Sequence, residues 1–102
     1  MLTFPIKKKW FDMILSGEKK EEYREIKPYY RSRFKNAGML DQYGLPTILP
    51  AEIIFRNGYS ADSPEVLAKC TIDIKTGKQE WGAEPEKEYY VLRIESLVDL
   101  TK

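Results

Sequence analysis

The sequence predicts a small α+β domain in which two short helices near the N-terminus accompany a small curled β-sheet or barrel. Helical spacing of apolar residues is confined to about the first 38 residues, and strand-like alternation dominates the rest. Asn57-Gly58 and Thr76-Gly77 mark turns between the predicted strands. A length of 102 residues with 42% hydrophobic content fits one compact domain spanning residues 1–102.

The first helix is predicted over residues 5–16. Apolar side chains recur there at offsets of four, seven and eight residues and form one stripe: Ile6, Trp10, Met13 and Ile14. Pro5 suits the first turn of a helix, and Gly17 stands where helices commonly end in a left-handed residue. The segment GEKKEEYR, Gly17–Arg24, therefore lies at a helix-to-strand junction, where binding or catalytic groups are common.

A strand is predicted over residues 19–26, where alternation puts Glu22 and Arg24 on the same face. These two side chains are close enough to pair, and Lys19 lies on the turn and can bend over the same face. A surface pair of this kind contributes only about 0–1 kcal/mol to stability. If the pair lies in a cleft, we therefore expect it to present donors to a ligand.

A second short helix is predicted to begin at Pro28 and to stop at Gly38. Tyr30 and Phe34, four residues apart, supply its apolar side, and its outer face is basic and aromatic. Arginine and tyrosine together can hold a phosphate and stack a base. Simple packing of the tyrosine beside a core phenylalanine is the alternative.

The remaining chain is predicted to contain three strands and their connections. A loop of about a dozen residues, 39–50, leads to a short buried strand at 51–56. Residues 66–74 alternate without interruption, which predicts a half-buried strand with Cys70 as a small core residue. An irregular segment follows at 79–88, in which Trp81 either plugs the end of a barrel or covers a ligand. Residues 89–97 predict the strand that completes the sheet.

Composition excludes several classes of chemistry. The chain has no histidine and one cysteine, which excludes an internal disulfide and a multi-cysteine zinc site and leaves only carboxylates to hold a metal. We therefore expect no metal and no cofactor. No apolar run approaches the roughly 18 residues of a membrane span, and the N-terminus lacks a signal-peptide hydrophobic region. We expect a soluble, cytoplasmic protein with no membrane or disulfide-linked partner.

The net charge of +1 conceals an uneven distribution. Residues 1–36 hold ten Lys or Arg against five Asp or Glu, and residues 37–102 hold seven against eleven, so the two parts carry +5 and −4. Lys7, Lys8 and Lys9 lie in the first turn of the predicted helix, where the helix dipole disfavours them. A basic face that attracts phosphate-bearing ligands explains this pattern, and ordinary solvated surface is the alternative.

The residues Gly17, Lys19, Glu22 and Arg24 resemble the G-x-K-x-x-E-x-R signature of the ASCH domain family, which belongs to the PUA-like superfamily. An N-terminal Pro-Ile-Lys-x-x-Trp segment and a Trp-Gly segment before an aromatic-rich last strand extend the resemblance over nearly the whole chain. The resemblance implies a barrel of mixed strands with helices beside it and a cleft into which the motif projects. It also implies RNA or a modified nucleoside or nucleotide as the partner.

The motif positions assign roles to three side chains. Lys19 and Arg24 would donate to phosphate or base oxygens, and Glu22 would accept a hydrogen bond or carry a proton. The predicted set of ligand-binding residues is completed by a wall following a central strand and by two further side chains: Arg56, Asn57, Tyr59, Trp81 and Lys9.

A second function stays open, because some small ASCH proteins are amidohydrolases that remove the acetyl group of N4-acetylcytidine, and others are ribonucleases. Lys19 would then be a metal-independent general base or nucleophile, with Glu22 as the acid. The deacetylases resemble G-x-K-x-x-T-x-R, whereas this chain has Glu22 in place of the threonine. We expect this carboxylate to raise the pKa of Lys19 and to make it a poorer base. A plain protein-interaction domain is the third alternative.

Overall fold

The computed structural model describes residues 1–100. In chain order the helices and strands are β1 (Leu2–Pro5), α1 (Lys8–Leu15), β2 (Glu21–Arg24), α2 (Pro28–Asn36), β3 (Ala51–Arg56), β4 (Glu65–Thr76) and β5 (Glu88–Asp99). A short 3₁₀ turn, Gln79–Trp81, precedes the last strand. The five strands form one sheet in the order β1-β3-β4-β5-β2, in which β1 and β3 pair in parallel and every other neighbouring pair is antiparallel.

The sheet is a curled half-barrel whose edge strands are β1 and β2. These edges approach each other closely enough for Arg24 Nη2 in β2 to donate to the Pro5 carbonyl in β1 at 3.2 Å. The predicted α+β class, with two N-terminal helices and a small curled sheet, is confirmed. None of the helices within residues 1–100 is long and apolar enough to cross a membrane.

The N-terminal segment differs from its prediction. Residues 2–5 form an edge strand that pairs in parallel with Ile53–Arg56, and α1 begins only at Lys8. Pro5 therefore ends a strand and does not start a helix, which an edge position allows because a missing N–H there breaks no sheet hydrogen bond. Of the predicted apolar stripe, Ile6 and Ile14 are buried, and Trp10 and Met13 are only half-buried. Phe11, which the predicted stripe did not include, is also buried.

The main hydrophobic core joins the sheet to both helices. Phe34 in α2 is fully buried, and its ring packs edge-to-face against Phe4 at 5.7 Å and against Tyr90 at 5.4 Å between centroids. The strand predicted at 51–56 is confirmed as β3, while β4 and β5 extend beyond the ranges predicted for them. Cys70 is fully buried, as its place in the predicted alternation requires.

Burial raises the pKa of the Cys70 thiol from 9.0 to about 12, and the carboxylates of Glu95 and Glu22 add to this effect. The unfolded chain releases the thiol proton once the pH passes 9.0, whereas the folded protein retains it until about pH 12. The stabilisation is therefore complete below pH 9.0 and is lost as the pH rises toward 12.

We predict that between about pH 8 and about pH 11 the free energy of unfolding falls by about 2–3 kcal/mol more in the unsubstituted protein than in Cys70→Ala. Urea unfolding followed by circular dichroism at both pH values measures this difference. Comparing each protein with itself cancels the cost of the cavity that alanine leaves. Equal losses in the two proteins would contradict the effect of the buried thiol.

Candidate functional site

A pocket of about 220 Å³ opens where the edge strands β1 and β2 approach each other, and we call it the Lys19 pocket. The end of β1, the start of α1, β2 with the turn before it, and the 3₁₀ turn all contribute to its lining. Charged and aromatic side chains dominate this lining: Lys7, Trp10, Lys19, Glu22, Tyr23, Arg24 and Trp81, together with Pro5, Ile6 and Gly82.

The turn after α1 fixes the position of Lys19. Gly17 has φ of 86°, and its N–H donates to the Ile14 carbonyl at 3.0 Å. The Lys19 N–H then donates to the Met13 carbonyl at 2.9 Å. This left-handed glycine, predicted from the sequence, reverses the chain at the helix end and places Lys19 directly before β2.

The Lys19 side chain is almost completely buried, with 2% of the residue exposed. Its Nζ lies 3.1 Å from Glu22 Oε1 and donates a hydrogen bond to the carbonyl oxygen of Trp81. The same atom is 4.7 Å from the ring centroid of Trp10 and 5.0 Å from that of Tyr23. Because an ammonium has three protons, one donor is left for the aromatic rings or for a ligand.

Glu22 links the two cations of the motif. Its Oε2 accepts a hydrogen bond from Arg24 Nη2 at 2.8 Å while Oε1 faces Lys19 Nζ, which confirms the pairing predicted from the strand alternation. Both carboxylate oxygens are engaged, and the side chain is only 9% exposed. The carboxylate therefore neutralises one of two neighbouring positive charges and holds both cations in place.

Arg24 has a hydrogen-bond donor that no other residue among 1–100 accepts. Its Nη2 donates to the Pro5 carbonyl, and its Nη1 donates to the Tyr30 hydroxyl at 3.3 Å. The guanidinium carbon lies 5.0 Å from the ring centroid of Phe4. The Nε–H is buried and has no hydrogen-bond partner among residues 1–100. Buried donors are nearly always paired, so this group calls for an acceptor that the described residues do not supply.

The N-terminus of α1 opens on the same pocket through Lys7 and Trp10. The N-cap residue Lys7 makes no side-chain capping hydrogen bond, and the first turn contains no acidic residue. The first N–H groups of a helix have no intrahelical acceptors, and the helix dipole makes this end positive. The positive end of the helix therefore lies next to the pocket that contains Lys19 and Arg24.

Two aromatic residues wall the pocket. Trp10 is closely packed against Gly82, which has φ of +103° and at which a Cβ would lie 3.0 Å from Trp10 Cζ2. Tyr23 donates to Glu21 Oε1 at 2.8 Å and accepts from the Lys78 N–H at 2.9 Å, so it anchors the segment that leads to the 3₁₀ turn. Burial raises the pKa of Tyr23 well above its usual value, which keeps the hydroxyl protonated as a donor.

Burial lowers the pKa of Lys19 below its usual value. The charge and hydrogen bond of Glu22 raise this pKa, as the sequence led us to expect, and the charge of Arg24 lowers it. The net direction is downward because desolvation of the ammonium is the largest effect. Lys19 is therefore easier to deprotonate than a lysine on the surface.

Four of the predicted site residues line the Lys19 pocket: Lys19, Glu22, Arg24 and Trp81. Trp81 contributes its carbonyl oxygen, and its half-buried ring lies outside both core clusters with Lys78 Nζ 4.5 Å from its centroid. The structure thus places it beside the pocket and not inside the core.

The other four predicted residues do not line this pocket. The guanidinium of Arg56 pairs with Glu65 at 2.6 Å, and Asn57 donates its N–H to the Pro64 carbonyl at 2.9 Å. Tyr59 is 88% exposed, and Lys9 Nζ lies 4.6 Å from the Trp10 ring centroid. The wall expected from the turn after β3 is formed instead by the start of α1 and by the 3₁₀ turn.

Six lining residues are outside the set predicted from the sequence: Pro5, Ile6, Lys7, Trp10, Tyr23 and Gly82. The helical spacing of Trp10 predicts a core side chain and gives no indication of a site. A signal for Trp10 existed in the Pro-Ile-Lys-x-x-Trp segment. All four of its defined positions line the pocket: Pro5, Ile6, Lys7 and Trp10.

Among the described residues, no group of three or more Cys, Asp or Glu side chains is arranged to hold a metal ion.

We predict that Gly17→Ala and Gly38→Ala each lower stability by about 1–2 kcal/mol, because both glycines have left-handed φ values and neither Cβ would meet another atom. Gly17→Ala should also displace the Lys19 side chain from Glu22 and bring its lowered pKa closer to the ordinary value, whereas Gly38→Ala should not. Thermal unfolding measures the loss of stability, and an NMR titration of the Lys19 side chain measures the pKa. An unchanged Lys19 pKa in Gly17→Ala would show that the Gly17 turn does not position the site.

Comparisons of the chain with known protein families, with curated proteins and with solved structures find no match. The resemblance to ASCH domains therefore rests on the sequence motif.

Proposed function

We propose that the Lys19 pocket binds RNA or a modified nucleoside through a single base or phosphate. One observation carries this proposal. Arg24, which lines the pocket together with a buried lysine and the residue at the uncapped start of α1, has a buried Nε–H without a partner in residues 1–100. A site with several fixed donors and one carboxylate whose oxygens are both engaged fits a ligand that presents oxygen acceptors. Membership of the ASCH family is part of the same proposal.

The size of the pocket limits what can enter. Its volume of about 220 Å³ lies below the roughly 300–1,000 Å³ of pockets that enclose drug-sized ligands. One base or one phosphate group fits this space, and the remainder of an RNA strand would lie outside. Carbonyl oxygens of a base and phosphate oxygens would both satisfy the available donors.

The two aromatic side chains that line the pocket favour a base as the group that it binds. Trp10 and Tyr23 offer ring surface beside the donors, and stacking of a base on an aromatic side chain contributes about 1–3 kcal/mol to binding. Stacking tolerates every base, whereas the fixed donors distinguish bases by the positions of their carbonyl oxygens. The aromatic rings would therefore supply affinity, and Arg24 would supply selectivity.

We predict that Arg24→Lys weakens binding of cytidine, N4-acetylcytidine or a short single-stranded RNA by at least about tenfold. The lysine retains a positive charge for Glu22 but lacks the Nε–H, and it cannot form the planar fork of hydrogen bonds. Because the charge is kept, the stability cost should be smaller than the roughly 3–5 kcal/mol of removing one partner of a buried pair. Calorimetric titration and thermal unfolding measure both quantities.

Arg56→Lys is the matched control, because Arg56 also pairs with a glutamate but does not line the pocket. It should leave ligand binding unchanged. If Arg24→Lys binds as tightly as Arg56→Lys does, the unpartnered Nε–H does not contact the ligand and the proposal fails.

A second function, metal-independent hydrolysis of an N4-acylated cytidine or of RNA, is favoured by the lowered pKa of Lys19. In the deacylation, a neutral Lys19 would take a proton from water as the water oxygen bonds to the acyl carbon. The bond between that carbon and the N4 nitrogen would break, and the proton would pass to the released amine. Arg24 and the N–H groups of α1 would stabilise the negative oxygen that develops.

The two functions predict opposite pH dependences, because they use opposite protonation states of Lys19. The ammonium form, present below the lowered pKa, donates to a ligand oxygen, and the neutral amine, present above it, accepts a proton from water. We predict that RNA binding weakens as the pH rises through the Lys19 pKa, at values below 10.5. Hydrolysis of N4-acetylcytidine would rise over the same range.

The charge-balanced double variant Lys19→Met/Glu22→Gln serves as the control, since it removes one buried charge of each sign. It should lose this pH dependence of binding, and it should lack hydrolytic activity. Hydrolysis that survives in this variant would exclude Lys19 as the base. RNA binding that strengthens with rising pH would contradict the binding role of the ammonium.

A further inference from the structure

A second pocket, of about 460 Å³, lies between the segment that follows β2 and the exposed side of α2, with Tyr90 of β5 also in its lining, and we call it the α2 pocket. Three of its lining residues are cations: Arg31 and Lys35, four residues apart on α2, and Lys27, the N-cap residue just before the helix. No acidic residue lines it. Lys27 pairs with Glu25 at 3.2 Å, whereas Arg31 and Lys35 form no ion pair with residues 1–100.

No acidic side chain of α2 neutralises the charges of these cations. The α2 sequence PYYRSRFKN contains no Asp or Glu, and its N-cap residue Lys27 makes no side-chain capping hydrogen bond. Like charges four residues apart destabilise a helix, and a cation near its N-terminus opposes the dipole. An anion bound between these side chains would remove both sources of repulsion.

Tyr90 is the independent observation that points to a ligand. It is 98% buried by its packing in the core, where its ring contacts Phe34, yet its side chain also lines the α2 pocket. Its hydroxyl forms no hydrogen bond with the other described residues. Buried tyrosine hydroxyls usually have a partner, so Tyr90 brings an unused polar group to the lining of a pocket that also contains the three cations.

Loop packing positions one of the cations. The Arg31 guanidinium lies against Gly44, where a Cβ would be 2.8 Å from its Nε. The absence of a side chain at Gly44 leaves room for the guanidinium, and the φ of 80° at this position disfavours any other residue there. A side chain at position 44 would therefore displace the guanidinium.

We infer that the α2 pocket binds a backbone phosphate of the same RNA strand that places a base in the Lys19 pocket. This inference rests on the function proposed for the Lys19 pocket. Arg24 lines the first pocket and Lys27 lines the second, and three residues of extended chain span at most about 10 Å. A single strand of a few nucleotides can therefore reach both pockets, with the cations and the Tyr90 hydroxyl on a phosphate.

The test compares a mixed-sequence RNA octanucleotide with free nucleosides and inorganic phosphate as probes of the intact protein. The variant Arg31→Gln/Lys35→Gln should weaken octanucleotide binding at low salt by about tenfold or more. It should also reduce the slope of log affinity against log salt by about 0.7 for the phosphate contact that is lost. Nucleoside binding in the Lys19 pocket should not change.

Lys69→Gln/Arg93→Gln is the matched control, because it removes the same two charges from exposed positions that line neither pocket. Tyr90→Phe removes only the hydroxyl, and it should weaken octanucleotide binding while thermal unfolding stays within a few degrees. Equal losses in the two double variants would show nonspecific charge attraction and would overturn the inference. Full octanucleotide affinity in Tyr90→Phe would overturn the role of the hydroxyl.

The outcomes separate this inference from the proposed function. Nucleoside binding that depends on Arg24, with octanucleotide binding indifferent to Arg31 and Lys35, overturns only the α2 pocket. Octanucleotide binding that depends on Arg31 and Lys35 but not on Arg24 overturns the proposed function and the shared strand. Binding of inorganic phosphate as tight as that of the octanucleotide would assign the α2 pocket to a free phosphate compound and overturn the RNA assignment. No binding of any probe overturns both proposals.

Discussion

The buried carboxylate of Glu22 is the constraint on which the rest of the site depends. It holds Lys19 and Arg24 on its two oxygens, and each cation reaches a carbonyl in another part of the chain. Lys19 binds the Trp81 carbonyl before the last strand, and Arg24 binds the Pro5 carbonyl at the end of the first. The three charges therefore link β2 and the turn before it to the end of β1 and to the 3₁₀ turn before β5. Removing charges from water costs several kcal/mol per ion in proteins, and an apolar replacement is often at least as stable. Stability alone therefore does not explain why three charges are buried here, and the proposed ligand would use their donors.

The curl of the sheet determines where these charges meet. In a flat sheet of this order, the edge strands β1 and β2 would lie at opposite ends, and an exposed edge leaves backbone groups unpaired. Here the two edges face each other, and the Arg24 side chain spans the gap between them. Pro5 has no N–H to leave unpaired, and its carbonyl is taken by the guanidinium. The opening of the half-barrel therefore becomes a pocket with polar walls, and closure of the barrel by direct strand pairing would have removed it.

Much of this arrangement follows from local sequence, and the remainder depends on contacts between distant segments. Alternation placed Glu22 beside Arg24, and Gly17 marked the turn that delivers Lys19, because both features are set by neighbouring residues. The strand β1 was missed because four residues are too few to show a period, and its parallel pairing with β3 involves residues about 50 positions away. The contact between the start of α1 and β2 likewise depends on the folded sheet, so the sequence predicts the turn after β3, and not Trp10, as the opposite wall of the pocket. The net direction of the shift in the Lys19 pKa also cannot be predicted from the sequence, because it depends on how completely the fold excludes water from the ammonium.

Burial of Lys19 connects the two functions considered for the pocket. Exclusion of water lowers the pKa of the lysine, and a negative charge brought into the same space opposes that effect. A bound phosphate would therefore raise the pKa and keep Lys19 as an ammonium donor, which is the form that binding needs. An uncharged acylated base would leave the pKa low and the neutral amine accessible. The charge of the ligand would therefore determine whether Lys19 acts as a hydrogen-bond donor or as a general base. The carboxylate of Glu22 alone does not decide between a binding module and a hydrolase. A phosphate that occupied the pocket would suppress general-base catalysis there even if the residues for catalysis were complete.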